Sequence, residues 1–215
     1  MEKQGQGPSG ELARWNERFT GAGYHFGTEP NAFLASQITR LKEAASGGAS
    51  ALCVADGEGR NGVWLAQQGL SVTSFDFSPV AVAKARELAR ERGVKIDCRC
   101  CELADWDWDA ARYDVIAGIF VQFATPPGRA RMFAGMCRAL NPGGLLLLQG
   151  YRPEQIAYGT GGPSRPEQLY TSKLLKQAFG ALDILELREH DDEIGEGTAH
   201  VGMSALIDLV ARRPA

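Results

Sequence analysis

The sequence predicts an α/β protein with a mostly parallel β-sheet and helices on both faces of that sheet. Between residues 50 and 150, apolar segments of strand length alternate with segments of helix length. The connections between them are short enough for right-handed crossovers. The chain has 215 residues, of which 44% are hydrophobic and 23% are charged, so we expect a single domain spanning 1–215.

The N-terminal part of the chain is predicted to be helical. Apolar side chains recur at helical spacing within 10–19, and a glycine-rich loop follows over 20–27. A second helix with an apolar stripe is expected to begin at Pro30 and to end at 46–48.

The central part of the chain alternates strands and helices. Ser78 and Pro79 are favourable as the N-cap and first residue of one of these helices. The predicted strands are 50–55, 71–76, 94–100, 113–120 and 144–149, and the predicted helices are 61–68, 79–92 and 129–140.

The C-terminal part follows a different pattern. A connection rich in Pro and Gly over 152–168 is longer than a turn requires, and such loops are often functional. After a helix over 172–179, strands over 182–189 and 199–210 are joined by a loop over 190–198, with no helix between them. Two strands connected in this way pair antiparallel, so the sheet is expected to end in an antiparallel strand.

Charge and hydropathy exclude several classes of partner. The net charge is −3, without a run of five or six like charges, which argues against nucleic-acid binding. The polar start over 1–10 does not resemble a signal peptide, and the longest apolar run, near 145–148, is too short to cross a membrane. We therefore expect a cytoplasmic protein with a small-molecule partner; its oligomeric state, monomer or dimer, is left open.

The five cysteines do not form a disulfide framework, because their number is odd and three of them crowd one predicted strand. Cys98 and Cys100 would share one face of that strand while Cys101 points away, and no CxxC pair is present. Structural cysteines in a reducing compartment are expected rather than a metal site.

A glycine-rich turn marks the predicted ligand site. The segment 57–62 matches GxGxxG and lies between a predicted strand and a predicted helix, where glycines let the backbone approach a ligand. Asp76 ends the next strand about twenty residues later, where a carboxylate accepts hydrogen bonds from ribose hydroxyls. The alternative is that the glycines only permit close packing and that Asp76 caps a helix.

The turn by itself does not separate S-adenosylmethionine from NAD. Arg60 and Asn61 bring polar bulk into it, which suits a ligand carboxylate better than a closely held pyrophosphate.

Several further segments carry a family resemblance that extends over nearly the whole chain. The chain resembles class I S-adenosylmethionine-dependent methyltransferases of the tellurite-resistance and thiopurine-methyltransferase type. The segments that carry the resemblance are 15–19 (WNERF), 24–31 (YHFGTEPN), 56–61 (DGEGRN), 72–78 (VTSFDFS), 141–144 (NPGG), 161–163 (GGP) and 196–200 (EGTAH).

The resemblance implies a Rossmann-like, seven-stranded sheet with an antiparallel last strand, and S-adenosylmethionine as cofactor with S-adenosylhomocysteine as product. It also implies an N-terminal lid over 1–45, a cofactor-binding core over 46–151, and a substrate-side loop and hairpin over 152–215. By resemblance, Gly57 and Gly59 would line the methionine end of the cofactor, and Asp76 would bind its ribose. Phe77, Glu102 and Leu103 would contact the adenine. Phe120 would lie under the cofactor.

Two positions depart from the family pattern. The usual acidic residue just before the glycine turn is Ala55 here, with Asp56 displaced by one position. Where relatives often carry His after the fourth strand, this chain has Gln122. A base at that position would therefore be absent from this protein.

The catalytic candidates are few, because the chain has only three histidines. His200 either faces the pocket, binding substrate or accepting a proton, or is a hairpin residue satisfied by a nearby carboxylate. His25 is expected at the surface of the lid, and His190 in a solvated turn. Tyr24 and Gln122 are the other catalytic candidates.

Aromatic residues supply further candidates. Trp15, Tyr24 and Phe26 precede the core and are expected in a lid over the cofactor, where a ring near a sulfonium gains about 1 kcal/mol of cation–π attraction. Trp15 also fits simple helix packing. Tyr151 and Tyr158, in or beside the long loop, are candidate substrate contacts together with His200.

The sequence thus predicts methyl transfer to a small molecule, with a soft acceptor such as a thiol or a tellurium or selenium oxyanion preferred on family grounds. Thiols and soft anions ionise readily, so a general base is optional for them. A non-catalytic S-adenosylmethionine-binding protein is the alternative, and an NAD(P)-dependent oxidoreductase is the third reading.

Overall fold

The computed structural model describes residues 8–45, 48–198 and 200–215. Within them the strands are β1 Ser50–Val54, β2 Ser71–Asp76, β3 Asp97–Cys100, β4 Tyr113–Ile119, β5 Leu140–Tyr151, β6 Asp183–Glu196 and β7 His200–Arg212. The α-helices are α1 Pro8–Thr20, α2 Ala32–Ser36, α3 Ile38–Ala45, α4 Arg60–Gln67, α5 Pro79–Glu91, α6 Pro126–Ala139, α7 Gln155–Tyr158 and α8 Ser172–Ala178, and a 3-10 turn covers Pro166–Gln168.

The strands form a seven-stranded sheet in the order β3-β2-β1-β4-β5-β7-β6. Strands β1 to β5 pair parallel with their neighbours, whereas β7 runs antiparallel to both β5 and β6. The predicted fold, a mostly parallel sheet with an antiparallel last strand, is confirmed.

The sheet is buried on both faces because its central strands are apolar at consecutive positions. Along β5, Leu146 and Leu148 pack on the side of α6 and α8, where Phe133 and Phe179 lie. Leu147 points to the opposite side, into the cluster that α2, α3 and α4 complete. Burial of each such side chain stabilises the fold by about 1.5–3 kcal/mol.

The start of α5 is confirmed as predicted. The Ser78 hydroxyl accepts a hydrogen bond from the Ala81 amide, and Pro79 occupies the first helical turn, where its missing N–H costs nothing. This cap fixes the direction of the chain directly after Asp76.

The predicted helix from Pro30 is wrong in its start and its continuity. Asn31, not Pro30, is the N-cap, since its side chain accepts from the Leu34 amide at 3.0 Å. The helix also divides at Gln37 into α2 and α3. The predicted end at 46–48 lies mostly outside the described residues, as do the N-terminal segment 1–7 and Ala199.

The predicted loop over 190–198 is wrong, because β6 continues through Glu196 and pairs with β7 up to His200. Polar residues are tolerated there because this end of the hairpin is largely exposed. The chain reverses near Gly197, whose φ of 66° suits a tight turn.

Smaller differences concern element ends. β3 begins at Asp97 rather than at 94, and α6 begins at Pro126 because the Thr125 hydroxyl caps it. The predicted turn over 141–143 lies within the span of β5, where the pairing with β4 shifts register. The connection over 152–168 contains α7 and the 3-10 turn.

Two further facts bear on earlier expectations. No helix in the described ranges combines the length and apolar character needed to cross a bilayer. All five cysteines are free thiols, and the described residues contain no group of three His, Cys, Asp or Glu side chains placed to hold a metal.

Candidate functional site

A cavity lies at the carboxyl ends of β1, β2 and β4, beneath α1 and the loop that follows it. In open parallel sheets this is where ligands bind, since crossovers leave β1 and β4 toward opposite sides. The lining residues are Glu11, Trp15, Phe19, Phe26, Val54–Gly57, Arg60, Asn61, Phe75–Phe77, Cys101–Leu103, Ala117, Ile119, Phe120, Phe123 and His200.

The backbone is strained at two points of this wall. Ala55 and Phe120 follow β1 and β4 and have φ of 47° and 56°, the only positive values among non-glycine residues in the described ranges. Each such conformation costs on the order of 1–3 kcal/mol and is found mainly at functional sites. These two conformations turn the chain sharply where β1 and β4 reach the edge of the cavity.

The two predicted glycines of the turn have different surroundings. Gly57 lines the cavity, and its amide donates to Asp76 Oδ2 at 3.0 Å. Gly59 does not line the cavity; a Cβ there would lie 2.6 Å from the Cβ of Ala85. The structure therefore gives Gly59 a packing role between the turn and α5.

Asp76 is buried at the end of β2, with 6% of its surface exposed. Its two oxygens accept from the Gly57 and Ser78 amides, and each retains a lone pair for a ligand. Burial, with the nearby charge of Glu102, raises the pKa of Asp76 to about 6, although the backbone hydrogen bonds oppose this rise.

Asp56 forms a second carboxylate in the same wall. Its Oδ2 accepts from the Gly62 amide at 3.0 Å, and a Cβ on residue 62 would come within 2.6 Å of that oxygen. Burial raises the pKa of Asp56 to about 7. Because residue 62 has no side chain, the start of α4 can approach Asp56 closely enough for the Gly62 amide to donate to its carboxylate.

One end of the cavity combines apolar side chains with a carboxylate. Phe77, Glu102 and Leu103 line it, and Glu102 keeps its carboxylate exposed. Behind them Phe75 stacks on Trp106 with ring centroids 4.2 Å apart. Trp106 and the buried Trp108 are packing residues that support this wall.

Aromatic rings enclose the other end. Trp15 stacks on Phe19 at 5.4 Å, and both line the cavity from α1. The His200 ring lies 4.6 Å from the ring of Phe26 and 4.5 Å from that of Phe120. A ligand group in this position is shielded from water and faces the imidazole.

A buried ion pair closes this end. Arg60, from the glycine turn, donates to Glu196 Oε2 at 2.6 Å, and both side chains are at most 10% exposed. The other oxygen of Glu196 accepts from Asn31 Nδ2 at 2.8 Å. Burial favours the neutral acid, but the His200 ring and the Arg60 guanidinium outweigh it and lower the pKa of Glu196 to about 2.

The loop that covers the cavity is anchored to the core by Glu58. Its buried carboxylate accepts from the His25 amide at 2.6 Å and the Phe26 amide at 3.4 Å. Lys84 donates to Glu58 and also to the carbonyl oxygens of Gly21 and Gly23. The lid is therefore attached through its backbone to one carboxylate and one ammonium group.

Tyr24 lies outside the cavity lining, although it was a cofactor and catalytic candidate. Its ring packs beside Val63 and Leu88, with the Lys84 ammonium 5.7 Å from its centre. Phe26, two residues along the lid, reaches the cavity instead.

Gln122 also lies away from the lining. Its amide nitrogen donates to the carbonyl oxygens of Tyr151 and Gln168, and its carbonyl oxygen accepts from the Tyr151 amide at 2.6 Å. With all of these groups engaged and 4% of its surface exposed, Gln122 joins β5 to the long loop. The geometry gives it no contact with the cavity.

The two tyrosine candidates occupy different places. Tyr151 lies behind the lining, stacked on Phe120 at 4.7 Å, and its buried hydroxyl has no partner in the described residues. Tyr158 is 39% exposed, and its hydroxyl donates to Asp191 Oδ2 at 2.9 Å. Tyr158 therefore lies on the outer surface.

The other two histidines do not line the cavity. His25, expected at the surface of the lid, is half-buried within it, and burial lowers its pKa. His190 lies 2.8 Å from Asp208 Oδ2, which Arg188 also contacts. His190 is thus part of an ion-pair cluster on the hairpin rather than a solvated turn residue.

Sequence reasoning gave no site role to several lining residues, among them Glu11, Phe19 and Phe123, or to Glu196 and Asn31 behind the wall. The aromatic spacing in α1 could have indicated Phe19. Glu196 lies in the 196–200 segment that carries the resemblance, but its contacts could not be predicted, since its partners Arg60 and Asn31 are 136 and 165 residues away in the chain.

Comparison with known families agrees with this geometry. Residues 51–144 match the model of the family described as a methyltransferase domain. A curated relative, the ribosomal protein L11 methyltransferase of Symbiobacterium thermophilum, is 31% identical over 132 residues, which are 60% of this chain and 40% of the relative. The chain thus spans less than half of that relative's length.

Solved structures share the fold at low identity. A protein studied for conversion of a disulfide bond into a thioacetal group during echinomycin biosynthesis superposes with TM-score 0.72 at 17% identity, covering 96% of this chain and 91% of the other. N-methyltransferase NodS from Bradyrhizobium japonicum WM9, in complex with S-adenosyl-L-homocysteine, gives 0.69 at 16%, covering 95% and 98%. TehB from Haemophilus influenzae gives 0.66 at 18%, covering 83% and 62%.

Proposed function

We propose that this chain, which carries a methyltransferase domain on the class I methyltransferase fold, transfers a methyl group from S-adenosylmethionine to a small-molecule acceptor. The observation that carries the proposal is the cavity at the ends of β1, β2 and β4. Its lining brings together Asp76, residues of the glycine turn and several aromatic side chains.

The cavity residues fit the cofactor part by part. Asp76 has free lone pairs for ribose hydroxyls, and Gly57 leaves room for close backbone approach. Phe77 and Leu103 offer apolar surfaces for adenine, and Glu102 an acceptor for its amine. NodS, a fold neighbour, was solved with S-adenosyl-L-homocysteine.

The methionine end of the cofactor would lie against the glycine turn and the aromatic rings. Arg60 supplies a cation for the ligand carboxylate, which it would share with Glu196. Phe120 lines this part of the cavity, where a ring near the sulfonium would contribute on the order of 1 kcal/mol. Trp15 also lines the cavity, but it stacks on Phe19 and the Arg18 guanidinium lies 4.8 Å from its ring centre. These residues support the proposed position of the methionine end.

Methyl transfer needs an in-line nucleophile and a water-poor pocket, so positioning supplies most of the acceleration. When bound, the cofactor supplies an electrophilic methyl group. The protein's part is to hold the acceptor against that methyl group and to exclude water through Phe26, Phe120 and the anchored lid.

We propose a soft nucleophile as the acceptor, with a thiol preferred to a tellurium or selenium oxyanion. The carboxylate nearest this end, Glu196, is held by Arg60 and Asn31, and its low pKa makes it a weak base. An acceptor that loses its proton readily suits such a site. The echinomycin-pathway neighbour, which is concerned with a disulfide and a thioacetal, is also associated with sulfur chemistry.

A small acceptor is favoured over a protein side chain, although the curated relative is named for a ribosomal protein. The reason is the lid: His25 and Phe26 are attached to Glu58 directly above the aromatic end. A folded protein would have to displace those hydrogen bonds. The residues proposed to contact the methyl acceptor are His200 and, behind it, Tyr151.

The cofactor is tested by calorimetric titration with S-adenosylhomocysteine, and with NAD and NADP in parallel. We expect micromolar binding of S-adenosylhomocysteine only, lost in Asp76→Ala and kept in Asp183→Ala, an exposed carboxylate on β6. Binding of a nicotinamide nucleotide instead would contradict the proposal.

Catalysis is tested separately by single turnover with a panel of thiols. Methylated thiol formed in one turnover supports an enzyme. Tight binding of S-adenosylhomocysteine without transfer to thiols, selenite, tellurite or amines would favour a non-catalytic binding protein.

A further inference from the structure

His200 carries a buried hydrogen-bonding atom that has no partner. The His200 side chain is 14% exposed, but its Nδ1 atom is buried. No described residue forms a hydrogen bond with Nδ1. The ring is held between Phe26 and Phe120, so it cannot turn freely toward water. Because an unpaired buried polar atom costs about 1–3 kcal/mol, this arrangement needs a reason other than packing.

The nearest acceptor for that nitrogen is Glu196, whose Oε2 lies 3.8 Å away. The carboxylate is fixed from three sides, by Arg60, by the Asn31 side chain and by the Ala32 amide. A shift of about 1 Å by the imidazole would complete an Nδ1–H···Oε2 hydrogen bond of ordinary length. Such bonds are often long without ligand and shorten when the site is filled.

We propose that Glu196 positions His200 as a proton acceptor: the carboxylate holds Nδ1–H, which leaves Nε2 free to take the proton of the methyl acceptor. This inference rests on the proposed methyl transfer. It adds Glu196 as a positioning residue, following the pattern in which a third group orients a catalytic base.

The reaction step balances without any further reactant. His200 Nε2 takes the proton from the S–H group of a thiol, and the sulfur lone pair forms a bond to the methyl carbon. The bond between that carbon and the sulfonium sulfur breaks, and its electron pair stays on sulfur, giving a neutral thioether. The positive charge lost there is carried by the imidazolium, beside the Glu196 carboxylate.

The charged and titratable groups around His200 support this assignment. Glu196 faces it from β6, Arg60 from the glycine turn, His25 from the lid and the Tyr151 hydroxyl from β5. The Arg60 guanidinium, 2.6 Å from Glu196 Oε2, favours the ionised form of that carboxyl. An ionised carboxylate stabilises the imidazolium that forms.

A substrate class follows from this geometry. A base assists only an acceptor that is protonated in solution, as an alkyl thiol is at neutral pH. An oxyanion gains nothing from it. The site is therefore suited to an alkyl thiol rather than to tellurite, selenite or a selenol, which is already ionised at neutral pH.

The direct test is long-range ¹H–¹⁵N NMR of the histidine rings with S-adenosylhomocysteine bound. The chain has three histidines, so His25→Gln and His190→Gln assign the signals. We expect the neutral His200 ring to be protonated at Nδ1, and this preference to be lost in Glu196→Gln. Protonation at Nε2 in the wild-type protein would overturn the inference, whatever the activity.

The kinetic test compares 2-mercaptoethanol, protonated at pH 7, with 4-nitrobenzenethiol, largely ionised at that pH, at saturating S-adenosylmethionine. Glu196→Gln should slow the first reaction on the order of 10²-fold and the second only a few-fold. Glu193→Gln, an exposed carboxylate of β6, is the matched control and should change neither. In a His200→Gln background, Glu196→Gln should have little further effect.

Equal losses for both thiols, or a full additional loss in the His200→Gln background, would show a merely structural role for Glu196. If neither thiol is methylated, the proposed acceptor class fails while the NMR result still decides the Glu196–His200 pair. If Glu196→Gln does not fold, the NMR measurement of which His200 ring nitrogen is protonated in the wild-type protein still tests the inference.

Discussion

The Arg60 guanidinium donates to Glu196 Oε2 at 2.6 Å and thereby joins the glycine turn to the tip of the C-terminal hairpin. Both side chains are nearly buried. Removing one partner of a buried pair typically costs about 3–5 kcal/mol, because the other charge is left unpaired. We expect Glu196→Gln or Arg60→Met alone to lower the free energy of unfolding by that order.

The double variant Arg60→Met/Glu196→Gln should lose much less than the sum of the single losses, since it leaves no unpaired charge. Denaturant unfolding of the four proteins measures the coupling. Strict additivity would contradict a direct interaction. The exposed pair Arg90–Glu87 is the control and should contribute nothing measurable.

Binding of S-adenosylhomocysteine should strengthen as the pH rises through about 6. Burial, with the charge of Glu102, raises the pKa of Asp76 to about 6, so the carboxylate is partly protonated below that value and fully ionised well above it. The ionised form accepts ribose hydrogen bonds better. Titration calorimetry from pH 5 to 8 measures the effect.

Asp56, with its pKa raised to about 7, contributes a second ionisation in this range. The dependence centred near pH 6 should persist in Asp56→Asn and disappear in Asp76→Asn. If Asp76→Asn binds with an unchanged pH profile, Asp76 is not the titrating group.

The same two carboxyls should make the free protein less stable at higher pH. Their pKa values are higher in the folded than in the unfolded chain, so the folded state binds protons more tightly. The resulting stabilisation is present below pH 3.8 and is lost as the pH rises toward 6 for Asp76 and 7 for Asp56. Thermal unfolding of Asp56→Asn/Asp76→Asn should show a weaker decline than wild type between pH 5 and 8.

Gly59→Ala should destabilise the protein by more than its backbone conformation alone requires. Gly59 has φ of 87°, and a Cβ there would lie 2.6 Å from the Cβ of Ala85. Gly69 has φ of 93° with nothing within 4 Å, so Gly69→Ala isolates the backbone term of about 1–3 kcal/mol. Equal unfolding free energies for the two variants would refute the close contact.

Glu58→Gln should loosen the lid. The carboxylate holds the His25 and Phe26 amides and pairs with Lys84, and a neutral amide weakens all three interactions. We expect S-adenosylhomocysteine to dissociate on the order of ten times faster, equivalent to about 1.4 kcal/mol. Stopped-flow measurements test this, with the exposed Glu87→Gln of α5 expected to match wild type.

Cys101 should be protected from alkylation by bound ligand. It lines the cavity beside Glu102, and burial raises the pKa of its thiol, so iodoacetamide labelling is best followed near pH 9. Its neighbour Cys100 is exposed and serves as an internal control. Mass spectrometry should show slower labelling of Cys101 alone when S-adenosylhomocysteine is present; equal protection of both would contradict the placement.

Local sequence was sufficient for the framework of the site. The Ser78-Pro79 start of α5 and the strand before it place Asp76 at the sheet edge, because capping and strand ends depend on neighbouring residues. The glycine turn lies between β1 and α4 for the same reason. The antiparallel end could be inferred because no helix separates β6 from β7.

Tertiary structure decided which residues face the cavity. Phe26 lines it while Tyr24 does not, because the lid is attached to Glu58 and Lys84 with Tyr24 packed beside Val63 and Leu88. Glu196 joins Arg60 and Asn31 across more than a hundred intervening residues. The sequence by itself determined the order of strands and helices and the cofactor edge, since those depend on local pattern. Packing between distant segments determined the lid, the ion pair and the surroundings of His200, because such contacts exist only once the sheet has formed.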